Sequence, residues 1–163
     1  AARDGSAAQA VIEYMQLYSG HGSPEDVLGF LDQQRIWPGL DQLRRRNEQM
    51  MAEKATPDQV IAFYDGYTPR SGVGALSLAA AQASRNLDGD AEATLVLAWR
   101  TLDLTTAEHN AFISSFPDLL KDHHDARLQM AVWRGLRDVA LMLPLVDATT
   151  RGRAELRQRV ERG

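Results

Sequence analysis

The chain has 163 residues, a formal net charge of −4 and no cysteine; 44% of its residues are hydrophobic and 25% charged. These proportions belong to an ordinary globular chain with one substantial core, which excludes disordered, collagen-like and low-complexity classes. The acidic balance argues against a dedicated nucleic-acid binder, and the missing cysteines remove disulfides, thiolate metal sites and thiol nucleophiles together.

No window approaches the roughly 18 uninterrupted apolar residues of a membrane span. The opening Ala1-Ala2-Arg3-Asp4-Gly5 carries neither a start Met nor the apolar run of a signal peptide, so the chain is expected to be processed or excised from something longer.

Helical spacing dominates in chain order. A first helix is expected from about Ser6 to Tyr18, with Val11, Ile12, Tyr14, Met15 and Tyr18 forming its apolar stripe. Ser19-Gly20-His21-Gly22 ends it. Ser23-Pro24-Glu25-Asp26 then supplies an N-cap, a proline at the first helical position and acids in the first turn. Val27, Leu28, Phe30 and Leu31 form the buried side of that helix. Trp37-Pro38-Gly39 breaks the chain, and Leu40, Leu43 and Asn47 to Met51 resume it as a helix.

Thr56-Pro57-Asp58-Gln59 repeats the start signal 33 residues after Ser23, again followed by apolar residues at Val60, Ile61, Phe63 and Tyr64. Gly66 to Gly74 reads as a turn region, and Ala75 to Ala83 as a close-packing helix of small residues. Asp88-Gly89-Asp90 opens a helix carrying Leu95, Leu97 and Trp99. Thr105 to Glu108 spells a capping box. Asp122 to Asp125 opens the helix of Leu128, Met130, Val132 and Trp133. Val139 to Val146, ended by Pro144, and Ala154 to Val160 complete the series. No stretch alternates as a strand does.

The expected fold is therefore all-α, with about ten helices of mostly 10–15 residues in a single domain over 1–163. Starts at Ser23, Thr56, Asp88 and Asp122 recur every 32 to 34 residues, and Phe30, Phe63, Trp99 and Trp133 keep nearly the same step. A period of about 33 residues with two helices per unit predicts a solenoid, a right-handed superhelix of stacked hairpins that shelter one another's apolar flanks. No unit carries the full tetratricopeptide spacing.

Candidate chemistry is sparse. His21, His109, His123 and His124 lack the spacing of a metal site, and His123-His124-Asp125 reads as a polar first turn. Glu13, Glu48, Glu92 and Glu108 sit beside solvent-type neighbours and read as surface charge. Ser71-Gly72-Val73-Gly74 lacks the strand and third glycine of a dinucleotide loop; close backbone approach at a helix start explains it. Neither a catalytic residue, a metal nor a cofactor is expected. Arg44-Arg45-Arg46 with Arg35 form the densest basic cluster, but the three consecutive residues fan round a helix, so at most two of them serve one surface. Trp99 and Trp133 share a repeat position and are assigned to the core. The binding candidates are thus Trp37, the least constrained tryptophan, with Arg44 and Arg45 for acidic ligands.

Particular strings resemble a known family. They are Phe30-Leu31, Trp37-Pro38-Gly39-Leu40, Leu43 to Glu48, Val60 to Tyr64, and Pro69 with Ser71, Gly72 and Gly74. Ala98-Trp99-Arg100, Leu104, Glu108, Ala111-Phe112, Asp122 to Leu128, Trp133-Arg134-Gly135 and Met142 to Val146 follow. In this order the chain resembles the N-terminal helical domain of bacterial soluble lytic murein transglycosylases, most closely those of alphaproteobacteria.

The resemblance implies a periplasmic α-superhelix, often U-shaped, ahead of a lysozyme-like domain that cleaves peptidoglycan glycan strands to 1,6-anhydro products. The family's catalytic Glu lies in a Glu-Ser motif, with Gly-Leu-Met-Gln and Ala-Tyr-Asn downstream, and none of these occurs here. By that resemblance the chain is the non-catalytic part of a longer protein, lacking its C-terminal catalytic domain. Its partners would be glycan strands, through the parent enzyme, and cell-wall proteins. The alternative from the residues alone is a tetratricopeptide-like scaffold for protein partners.

Overall fold

A computed structural model describes residues 7–162, with side chains described for 7–160. Every regular element among them is helical. In chain order these are α1 (Ala7–Tyr18), α2 (Pro24–Gln33), α3 (Leu40–Lys54), α4 (Pro57–Phe63), α5 (Gly72–Ala83), α6 (Asp88–Thr101) and α7 (Thr106–Ser115). They continue as α8 (Pro117–Leu120), α9 (His124–Arg134), α10 (Val139–Met142) and α11 (Ala148–Arg162), with 3-10 turns at Lys121–His123 and Leu143–Leu145. Several are shorter than expected, α8 and α10 being single turns. The expected start at Ser6 lies outside the described residues. No described helix is long and apolar enough to cross a membrane.

The local start signals act through their side chains. Ser23, Thr56 and Thr105 are N-caps, and each forms a reciprocal capping box with the residue three along: Asp26, Gln59 and Glu108. The expected cap at Asp88 is different, because Leu87 holds the cap position and makes no side-chain bond there. Thr105→Ala is expected to cost about 1 kcal/mol. Glu108→Ala should cost more, because Glu108 Oε1 also accepts from the Val73 N–H at 3.0 Å, in another helix. Urea denaturation of the two variants checks the order.

The principal contacts join each helix to those one to three elements along the chain: α1 to α2 and α3, α3 to α5, α5 to α6 and α7, α6 to α9, and α9 to α11. Two apolar cores result. Val27, Phe30, Leu43, Met51 and Phe63 centre the first, and Trp99, Leu104, Phe112, Leu120, Leu128 and Met142 the second. The small-residue helix α5 lies between them, giving Leu78 and Ala81 to the first core and Ala75 and Ala79 to the second. Small side chains on two faces let helices approach from both sides, which is why this segment is so rich in alanine.

Two expected apolar faces are corrected. In α1 the packed stripe is Ala10, Tyr14 and Leu17, while Val11, Ile12 and Met15 face solvent, Met15 at 65% exposure. The sequence offers two apolar faces, and polar ties select one: Asn47 Nδ2 donates to the Leu17 carbonyl at 3.2 Å, and Tyr14 Oη to the Gly39 carbonyl at 3.3 Å. In α9 the buried stripe is Leu128, Ala131 and Val132, which leaves Trp133 78% exposed. Trp133 is thus not the core counterpart of Trp99, and the aromatic repeat ends after three units. Leu156 and Val160 of the last helix are exposed as well.

Candidate functional site

Two of the four glutamates that sequence reading placed at the surface, Glu48 and Glu108, converge instead on the start of α5. Ser71 is its N-cap, accepting from the Gly74 N–H at 3.1 Å. From α3, Glu48 reaches the same turn with only 2% exposure. Its Oε1 accepts from the Arg70 N–H at 2.8 Å, and its Oε2 from the Ser71 hydroxyl in a short bond. From α7, Glu108 takes the Val73 N–H. Two carboxylates from different helices therefore occupy the N-terminus of α5, where unpaired N–H groups and the helix dipole favour negative charge.

The glycines make room for them. A Cβ on Gly72 would lie 2.8–2.9 Å from the Glu108 side chain, and one on Gly74 would meet Glu48 Oε2 at 2.6 Å and collide with Tyr64 Oη. Close backbone approach was the right reading of Ser71 to Gly74. What approaches is a pair of carboxylates, so Glu48 and Glu108 are joints between helices rather than surface charges.

Burial pushes the Glu48 carboxyl above its ordinary 4.5, against the lowering effect of the Ser71 and Arg70 hydrogen bonds. Tyr64 and Tyr67 also have raised pKa values, through burial first and then the nearby Glu48 charge. A raised carboxyl binds its proton more tightly in the folded chain than in the unfolded one. Its contribution thus favours the fold at acid pH and is lost as pH rises from 4.5 through the raised value. Glu48→Gln keeps an acceptor for Arg70 and is neutral throughout. It is expected to match or exceed the parent in stability at pH 7 and to lose that relative advantage towards pH 4. Urea titrations across that range check the sign.

A second buried cluster joins α7, α9 and the start of α10. Arg127 and Asp138 are fully enclosed and His109 nearly so. Arg127 Nε donates to Asp138 Oδ2 at 2.9 Å, Nη2 donates to the same oxygen, and His109 Nδ1 lies 3.0 Å from it. An ionised carboxylate can only accept, which puts the imidazole proton on Nδ1. Arg127 Nη1 donates to the carbonyls of Trp99 and Leu102, closing the end of α6, and its guanidinium lies 4.5 Å over the Trp99 ring. Desolvation pushes the Asp138 carboxyl up, but the His109 and Arg127 bonds and the Arg127 charge outweigh it and hold the pKa below 3.8. Desolvation lowers the Arg127 pKa, with Asp138 opposing. His124 stacks edge-on against Trp99, and burial, then the His109 charge, hold its pKa below 6.5. His109 and His124 are therefore packed against a core tryptophan, while no group of three or more ligand-type residues among those described could hold a metal.

The three binding candidates do not meet. Trp37 is half-buried in an aromatic cluster, its ring centroid 5.7 Å from Phe30 and 5.9 Å from Tyr14, and so it is more constrained than expected. Arg45 is exposed. Arg44 is half-buried with its guanidinium 5.3 Å over the Tyr67 ring, and it lines a groove with Arg35 that Arg45 and Trp37 do not reach. Arg46 instead covers the Tyr18 ring.

The chain matches no family model, no curated protein and no solved structure.

Proposed function

We propose that the chain is the non-catalytic wall of a periplasmic soluble lytic transglycosylase: a right-handed α-superhelix that positions glycan strands or partner proteins for a catalytic domain. The observation that carries the reading is where the resembling residues fall. Phe30 and Trp37 lock the break between α2 and α3, Glu48, Ser71, Gly72, Gly74 and Glu108 build the α5 joint, and Trp99, Arg127 and Leu128 build the α6–α9 joint. Strings spent on fastening one helix to the next suit a structural wall. Packing between near neighbours in sequence is also the order a solenoid needs.

The enclosed carboxylates support a role without catalysis. Glu48 is nearly inaccessible and both its oxygens already accept hydrogen bonds, whereas a general acid must reach the atom it protonates. The exposed Val11, Ile12 and Met15 favour a second reading, a tetratricopeptide-like scaffold that contacts proteins through α1. Co-sedimentation with insoluble murein sacculi at low salt separates the two. Retention above a control protein of equal net charge is expected, and recovery at the control level would overturn the wall and leave the scaffold.

A further inference from the structure

We propose that the groove between α2, α3 and the end of α4 binds the C-terminal end of a short aliphatic peptide, with Arg44 holding the peptide carboxylate. The groove measures about 520 Å³, within the range of small-ligand sites. Leu28, Leu31 and Leu40 give it an apolar floor, and Arg44 and Asp65 stand among its walls.

Arg44 is fixed and makes no ion pair among the described residues. Its guanidinium lies over Tyr67, and that ring is itself held by stacking on Tyr64 (centroids 6.0 Å apart, planes 12° apart) and by an edge contact with Phe63. Its Nε is buried with no hydrogen-bond partner. The acid four residues on, Glu48, would be the usual helical partner, but it is turned away to the start of α5. A positioned guanidinium without an acid is a ready receptor for a planar carboxylate, because its Nη donors are held in place before the ligand arrives.

The remaining charges select among anions. Arg35 is already tied to Asp32 at 2.6 Å. Asp65 makes no ion pair among the described residues. With Arg35 and Asp32 compensating each other, Arg44 and Asp65 are the groove's uncompensated charges, so a carboxylate and an ammonium on one aliphatic body match it better than a phosphate dianion does. The site itself rests on the groove alone.

The test is methyl NMR of the full chain, following Leu28, Leu31, Leu40 and Ala62 during titration with the dipeptide Ala-Ala. Saturable shifts with a Kd on the order of 1 mM are expected. The C-terminal amide of the same dipeptide and the Arg44→Gln variant should each bind about tenfold more weakly. Asp65→Asn lies at an exposed position and should weaken the free dipeptide while leaving its N-acetyl form unchanged. No shifts, equal response to the amide, full binding by Arg44→Gln, or larger shifts with inorganic phosphate would overturn the site. A silent dipeptide with sacculi still retained sinks the groove and spares the wall. Dipeptide binding without sacculus retention does the reverse.

Discussion

Arg127→Met is expected to destabilise the chain by about 3–5 kcal/mol, the usual cost of leaving a buried carboxylate without its cation. For a domain of this size that corresponds to a fall in melting temperature of roughly 6–20 °C. The reason is concentrated on one atom. Asp138 Oδ2 takes both Arg127 donors and the His109 contact, while Oδ1 has no hydrogen-bond partner among the described residues. Removing Arg127 also strips the Trp99 and Leu102 carbonyls of their donor at the end of α6.

The double variant Arg127→Met, Asp138→Leu should recover a large part of the loss, since both buried charges leave together. Acid should act in the same direction as the single variant. A carboxyl held below its ordinary pKa favours the fold above 3.8, and that contribution is lost as pH falls through the lowered value. Thermal and urea melts of the four members of this cycle read the coupling directly. Equal stability of Arg127→Met and the parent would show that the pair is a bystander.

Gly74→Ala should be the other costly change, destabilising by about 1–3 kcal/mol although alanine is the better helix former. The added methyl would meet Glu48 Oε2 at 2.6 Å and run into Tyr64 Oη. Neither can retreat cheaply, because Glu48 is bonded to Arg70 and Ser71, and Tyr64 packs edge-on against Phe63 at 4.9 Å. Tyr64→Phe removes a buried hydroxyl that has no partner, so alone it should be nearly neutral. In the Gly74→Ala background it should restore part of the loss. Urea denaturation of the two singles and the double tests this. Gly74→Ala more stable than the parent would mean that α3 and α5 are not in close contact at this point.

These two joints also mark the limit of what the linear sequence reveals. The caps at Ser23, Thr56 and Thr105 were legible because each acts on backbone three residues away. The glycines at 72 and 74 were legible as close approach, but their partners Glu108 and Glu48 lie 36 and 26 residues distant. Glu48 sits in Arg45-Arg46-Asn47-Glu48-Gln49, a context that reads as solvent. One signal was present: Leu43, Asn47 and Met51 keep four-residue steps and all are buried, so a polar residue in that register marked a buried polar face beside Glu48.

Elsewhere the ambiguity was rotational. The sequence gives α1 apolar residues on two sides, and only the tertiary bonds to Leu17 and Gly39 decide which side is covered. Trp133 kept the aromatic step of Phe30, Phe63 and Trp99 but falls beside the stripe of Leu128, Ala131 and Val132. Arg127 and Asp138 carried no local sign of their pairing, since the residues between them run through a helix end at Gly135.

The most direct test of the account is digestion of purified murein by the whole chain and by Glu48→Gln, with the soluble products resolved by mass spectrometry. A wall whose buried acids serve as joints predicts no 1,6-anhydro products from either protein. Anhydro products released by the parent and lost in a folded Glu48→Gln variant would make Glu48 a catalytic acid and contradict the account.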